Sequence, residues 1–542
     1  MTTLIAPAGA QWLAAEDDSA RAEREAGWHW AWGADVDADA AADDDQPRAF
    51  VWDLLLDRPL AGARLLLAAQ KGLPRVWLDG RPLQVHDDPM AGRELQDLDL
   101  GDLPAGSHRL AVLVRTFHPF IQEPRQGGQP VLQGLWHNTL WSQRSNFVGL
   151  PTDCPQRDER LGWTGDAQVF WPTAAFNMDV RGFTRCFLAD LRASQRADGA
   201  YADTNPSALP AYGAHGWSDA GVVLPHTVWQ HYGETALIDE HWPSMERWMA
   251  WIAEPNADGL WRQRREVDFG DWLSLDAQNV MDATTPKLLT ATACWARQLG
   301  MMVQMANATG RAERAAHFCG WQAQVLQAFN AEFVRADGSI GNHSQTGYIL
   351  PLAFGLLPES QRQAAADHLA TNIRRRGTLL STGFLGTPFS LDVLAEHGHA
   401  DLAVSLLLRT AFPSWGCMVA RGATTIWERW NGDTGDLAMN SFNHYALGAV
   451  TGFLYRRVAG IASASPGFGR LLCRPLMDAR LGSGRARHDT LRGTVRSAWG
   501  EGEDGRCWFT LDLPPGMLAT VQLPGQPARE LMAGQHRLLA TA

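Results

Sequence analysis

The chain has 542 residues, more than one hydrophobic core usually organises, so two to four domains are expected. Its 45% hydrophobic and 20% charged residues are those of an ordinary globular protein. The formal net charge of -12 argues against a nucleic-acid or anionic-membrane partner, since both need a basic face, while a neutral small-molecule or oligosaccharide substrate is compatible with it.

No run of about 18 apolar residues occurs, so no membrane span is expected. The start, MTTLIAPAGAQWLAAEDDSARAE, lacks a basic stretch leading into an apolar one, and no secretory signal is expected. Seven cysteines, Cys154, Cys186, Cys294, Cys319, Cys417, Cys473 and Cys507, are scattered without a CxxC pair and fit reduced thiols in a cytoplasmic protein. The 24 tryptophans supply flat faces suited to stacking on sugar rings, although most should be core.

Residues 1 to about 48, with the acidic run ADVDADAAADDDQ, predict a partly irregular lead-in. From about 49 to 118 the short runs AFVWDLLL, ARLLLAA, RVWLDG and HRLAVLVRTF are separated by turn signals at Asp79-Gly80 and Pro104-Ala105-Gly106, the pattern of a β-sandwich. From about 134 to 459 the texture is helical. Helices are expected near 136–147, 167–195 (one long helix or two), 220–232, 235–253, 283–309, 311–334, 344–356, 359–375, 388–397, 399–411 and 440–459.

The connections alternate. Short turns fall near Gly233, Gly310, Pro358 and Gly398, and long loops at 196–219, 254–282, 335–343, 376–387 and 412–439. Antiparallel pairs joined in this way put the short turns at one end of a bundle and the long loops at the other. Twelve such helices in a ring give an (α/α)6 barrel with its site at the long-loop end. Beyond about 465, TLRGTVRSAWG, CWFTLDLPPG and LATVQLPG again alternate like strands. The expected organisation is therefore multidomain: a lead-in and N-terminal β-sandwich over 1–133, an (α/α)6 barrel over 134–460 and a C-terminal β-sandwich over 461–542.

Chemistry concentrates in the long loops. Residues 151–166, PTDCPQRDERLGWTGD, pack Asp153, Asp158, Glu159 and Asp166 beside Arg157, Arg160 and Trp163. Pro151, Pro155, Gly162 and Gly165 argue for irregular backbone there. A solvated loop with internal ion pairs is the competing reading, but it has no need of a cysteine and an aromatic mixed into the charge. Further clusters are HGWSD at 215–219, REVDFGDWL at 265–273, TTIWERWNGDTGD at 424–436 and NSFNHYALG at 440–448. Glycoside hydrolysis needs one carboxylic acid to protonate the leaving oxygen and one carboxylate on the other side of the sugar. Glu159 and Glu428 are the best pair, the latter flanked by Trp427, Arg429 and Trp430, whose rings would desolvate it. On residue types alone, an arginine-paired structural role for Glu428 competes.

The run DCPQRDERLGWTGD resembles the signature of the bacterial α-L-rhamnosidases of glycoside hydrolase family 78. TTIWERW followed by SFNHYALGAV resembles that family's closing motif, so the similarity brackets about 146–459. The resemblance implies an inverting hydrolase of terminal α-L-rhamnosides without a cofactor, with Glu159 as general acid and Glu428 as general base activating water. It further implies that Asp153, Trp163, Asp166, Trp217, Trp272 and His444 line the rhamnose subsite, with Arg157, Asp219 and Asp271 as weaker candidates. For His444, a hydrogen-bonded histidine at a helix start competes with sugar contact.

The segment between Glu428 and His444 is shorter than the family pattern, and the chain has fewer accessory β-domains than many relatives. Aglycone preference therefore does not carry over. His226 and His231 lie off the i, i+4 spacing of a metal pair, and no metal is expected. Another (α/α)6 exo-glycosidase, a lyase, or a non-catalytic sugar-binding protein are the alternatives. A lyase would want a Tyr or His base, against only six tyrosines and these carboxylate-rich loops.

Overall fold

The structure, a computed structural model, describes residues 3–7, 29–30, 48–56, 59–68, 75–83, 96–114, 129–277, 283–434, 441–502 and 505–540. The chain divides into two units, Met1–His118 and Pro119–Ala542.

The first unit contains two four-stranded sheets. One orders His29–Trp30, Thr3–Pro7, Leu60–Ala68 and Gln96–Leu103 side by side; the other orders Arg48–Leu56, Gly106–Val114, Arg75–Leu78 and Arg81–Leu83. Asp79 and Gly80 both take positive φ, 48° and 77°, the backbone that a two-residue hairpin turn requires, and they join the last two strands as their residue types predict. The lead-in contributes strands at Thr3–Pro7 and His29–Trp30, while its acidic run lies outside the described residues. Gln96–Leu103 went unrecognised because aspartates interrupt it, although Leu100 and Leu103 are buried.

The second unit begins with helix Pro130–Asn146, which starts several residues before the predicted 136 on a proline whose missing N–H costs nothing in a first turn. The predicted 167–195 helix is two, Thr164–Asn177 and Arg181–Ala193. Then follow Ala220–Tyr232, Ala236–Ala253, Lys287–Ala308, Ala312–Phe333, Gln345–Ala353, Glu359–Arg375, Thr387–Glu396 and Ala400–Leu407. Gly233, at φ 80°, ends Ala220–Tyr232 in the left-handed conformation that glycine adopts without a Cβ penalty. Turns at 178–180, 233–235, 309–311, 354–358 and 397–399 join successive helices.

Two expectations need correction. The 440–459 segment is not one α-helix: it runs through a 3-10 turn, Ala446–Val450, an α turn, Thr451–Phe453, and a π turn, Leu454–Val458. The loop at 412–439 contains a short helix, Trp415–Ala420, capped by the Ser414 hydroxyl accepting from the Cys417 N–H.

Two further four-stranded sheets follow. Arg470–Cys473 lies at the centre of one, beside Leu518–Val521, and Gly493–Glu501 at the centre of the other, beside Cys507–Leu513. One hydrophobic core extends from Leu132 in the first helix to Ala540 in the last strand region. It is rich in Trp171, Trp248, Trp251, Trp261, Trp415 and Trp499, so many tryptophans are structural. All seven cysteines are free thiols, and no described helix is long and apolar enough to cross a membrane.

Candidate active site

The loop before Thr164–Asn177 folds back on itself through Asp153. Its N–H donates to the Leu161 carbonyl at 2.9 Å, and its Oδ1 accepts the Leu161 N–H at 3.0 Å. Gly162 is needed beside it: the Asn205 N–H donates to the Gly162 carbonyl at 2.8 Å, and a Cβ at 162 would lie 2.1 Å from the Asn205 carbonyl oxygen. The folded loop presents Arg157 to two carboxylates at once. One Arg157 nitrogen donates to Glu159 Oε2, and Nη1 donates to Glu428 Oε2 at 3.0 Å. Glu159 also accepts the Trp163 indole N–H on Oε1 at 2.7 Å.

Glu428 is held at this point because its backbone pairs with Ser441. The Glu428 N–H donates to the Ser441 carbonyl at 2.9 Å, and the Ser441 N–H donates to Glu428 Oε2 at 2.8 Å. Both hydrogen bonds to the Glu428 side chain fall on Oε2, and Oε1 accepts none among the described residues. Burial raises its pKa above the ordinary glutamate value. Its arginine is Arg157 rather than the neighbouring Arg429, while Trp427 and Trp430 turn into the core against Phe442 and Trp415.

Asp166 sits in the first turn of Thr164–Asn177, a helix that starts three residues earlier than predicted, where the helix dipole favours a carboxylate. It pairs with the Nε2 side of His444, which is buried. Burial opposes the charged imidazolium, yet Asp166, Glu428 and Asp153 around it push His444 up to about 9. Asp153 is pushed up to about 6, chiefly by burial. The Cys154 thiol donates to Asp153 Oδ2 at 2.9 Å, and burial raises its pKa above the ordinary thiol value. Asp153, Cys154 and Glu159 place ligand atoms within 4.8 Å of one another, but that thiol is spent on Asp153 and Glu159 is held by Arg157, which does not suit a metal.

The aromatic candidates meet through a residue the sequence reading did not single out. Phe269 packs on Trp217, Trp163 and Trp272 at ring-centroid distances of 4.6, 5.7 and 5.7 Å. Trp217 lies across Gly165, where a Cβ would come within 2.4 Å of the indole. Phe384, also missed, lies 5.5 Å from the His444 ring.

Asp219 and Asp271 are engaged by other partners. Asp271 accepts Thr346 Oγ1 at 2.5 Å and the Gly383 N–H at 2.9 Å on Oδ2, and the Leu385 and Gly386 N–H groups at 2.8 and 3.1 Å on Oδ1. That fills a carboxylate's acceptor capacity, so Asp271 anchors the loop that carries Phe384 and has no oxygen left for a sugar. Asp219 is fully buried beside Cys294 and Arg297, and burial pushes it up to about 6. His215 of the HGWSD cluster pairs with the Thr290 hydroxyl at 2.7 Å. Residues 435–440 of the WNGDTGDLAMNS loop lie outside the described residues.

Residues 126–458 match the bacterial α-L-rhamnosidase six-hairpin glycosidase domain, and residues 460–537 match the bacterial α-L-rhamnosidase C-terminal domain. The chain belongs to the bacterial α-L-rhamnosidases of glycoside hydrolase family 78. An α-L-rhamnosidase of Streptomyces avermitilis is 40% identical over 456 residues, 82% of this chain and 43% of that protein. One from Formosa agariphila is 35% identical over 408 residues, 74% of this chain and 44% of that protein. The chain thus spans less than half the length of these relatives. Among solved structures, the Streptomyces avermitilis α-L-rhamnosidase complexed with L-rhamnose superposes with a TM-score of 0.72 at 31% identity, covering 91% of this chain and 52% of that one. The native Aspergillus terreus enzyme gives 0.73 at 27% identity, covering 92% and 65%. The helix-rich six-hairpin domain and the sheet domain after it are those of this family.

Proposed function

We propose that the chain is an inverting glycoside hydrolase that releases terminal α-L-rhamnose from small rhamnosides or oligosaccharides without a cofactor. The observation that carries this is Arg157 bridging Glu159 and Glu428, two carboxylates brought from opposite ends of the six-hairpin domain. Glu159 serves as general acid, delivering a proton to the leaving oxygen, and the Trp163 indole fixes its orientation. Glu428 serves as general base: Arg157 and the Ser441 N–H hold charge on Oε2, leaving Oε1 for water. In the inverting reading the two carboxyl groups stand roughly 6.5–9.5 Å apart, with water between base and sugar. Asp153, Asp166 and His444 hydrogen-bond sugar hydroxyls, and Trp163, Trp217 and Trp272 supply the apolar wall for the ring and its methyl. The rhamnose bound in the Streptomyces avermitilis relative supports the sugar assignment.

In this reading the helix pairs form an (α/α)6 barrel over 134–460, flanked by β-sandwiches over 1–133 and 461–542. The free cysteines support a reducing, cytoplasmic location. The test is hydrolysis of p-nitrophenyl α-L-rhamnopyranoside by the full chain, with Glu159→Gln and Glu428→Gln as controls. Turnover that both substitutions abolish supports the reading; turnover that survives either one removes that residue from its role.

A further inference from the structure

A cavity of about 440 Å³, lined by none of Asp153, Glu159, Asp166 and Glu428, lies in the same unit between the Thr164–Asn177 and Thr387–Glu396 helices and the Arg470–Cys473 strand. Thr164–Asn177 links the two places: Asp166 is in its first turn, whereas Pro172 and Thr173 line the cavity further along. The volume falls in the range of small-molecule sites.

Its polar wall is unusual. Arg456 is neutralised by Asp392 at 2.6 Å. Arg457 and Arg474 instead converge on one carboxylate, Glu396, from 3.7 and 3.5 Å, beyond hydrogen-bonding distance. Nε and Nη1 of Arg457 and Nε of Arg474 are buried and donate no hydrogen bond to a described residue, and Arg457 as a whole is only 9% exposed. Two guanidinium groups against one half-exposed glutamate leave a surplus positive charge and unused donors, which is costly unless an acceptor occupies the space. Arg456 and Arg457 also lie in the π turn Leu454–Val458, closed by the Ala459 N–H donating to the Leu454 carbonyl at 2.8 Å. Such turns are rare and recur at functional sites. Pro172, Pro388, Phe389 and Leu472 supply apolar wall, and Thr173 and Ser463 also line the cavity.

We propose that this cavity binds a small organic oxyanion, a carboxylate or a phosphate monoester with an apolar body. Arg457 and Arg474 grip the oxygens through the planar fork that suits such groups, and Pro388, Phe389 and Leu472 cover the body. Cleavage of a neutral glycoside makes no use of these arginines, so the site stands independently of the hydrolase reading.

Isothermal titration of the full chain with benzoate, phenyl phosphate and the neutral control benzyl alcohol tests it. Saturable binding of benzoate or phenyl phosphate, without binding of benzyl alcohol, is expected, and the anion that binds identifies the head group. Arg474→Gln, at a half-buried position that should leave folding intact, is expected to weaken that binding about tenfold or more, by analogy with charge-assisted pairs. Glu396→Gln removes the competing carboxylate and is expected to tighten it. No saturable binding of either anion, or an unchanged affinity in Arg474→Gln, overturns the proposal.

Discussion

Asp271 and Glu428 are both buried carboxylates on long loops of the helical unit, and they are bonded in opposite ways. Asp271 spreads four hydrogen bonds over both oxygens, three of them from the backbone of 383–386. Among the described residues Glu428 takes two, both on Oε2, from the Ser441 N–H and Arg157. Burial raises both pKa values, so burial alone does not separate them. What separates them is the unclaimed oxygen: a saturated carboxylate holds structure, while one with an unbonded oxygen beside a second carboxylate can move a proton.

This contrast predicts a graded series. Glu428→Gln and Glu159→Gln should each lower kcat by about 10²–10⁴, the usual share of a positioned acid or base, while the thermal midpoint changes little; steady-state kinetics and circular dichroism melts measure the two separately. Arg157→Met should lower kcat/KM less, by about 10²-fold, because it orients both carboxylates without itself moving a proton. It should also shift the acidic limb of the kcat/KM profile to higher pH, since losing a neighbouring cation favours the protonated carboxyl. Asp271→Ala should do the reverse of Glu428→Gln: four donors lose their acceptor, costing on the order of 3 kcal/mol in a denaturant titration. Activity of the fraction still folded would fall only as far as Phe384 moves.

The smallest effect concerns His444. Its pKa in the folded chain is about 9, above the unfolded value near 6.5, so its contribution to stability is complete below about 6.5 and is lost as the pH rises through about 9. Thermal midpoints should therefore decline between about pH 7 and 9, and His444→Gln should flatten that decline.

Much of the helical scaffold was legible because pattern and punctuation agreed. Ala220–Tyr232 and Glu359–Arg375 were read at their observed ends, where Gly233 and Pro358 mark the boundaries. The 440–459 segment was read as one helix because apolar spacing does not distinguish α from 3-10 or π winding. Gly484–Thr490, GRARHDT, escaped as a strand because arginines occupy its outward positions while Ala486 and His488 are buried.

In the site, the motif runs pointed to the residues, but their bonding could not be read from order along the chain. Glu428 stands next to Arg429 and pairs with Arg157, and Asp271 sits among candidate sugar ligands yet is consumed by loop backbone. Phe269 was hidden within REVDFGDWL because nothing in that run shows that Trp163 and Trp217 from other loops converge on it beside the run's own Trp272.

The proposed action of Glu159 and Glu428, bridged by Arg157, is on opposite faces of the sugar. It is tested most directly by recording proton NMR spectra in the first minutes of p-nitrophenyl α-L-rhamnopyranoside hydrolysis, before mutarotation. The account predicts that β-L-rhamnose appears first; first appearance of the α anomer would contradict it.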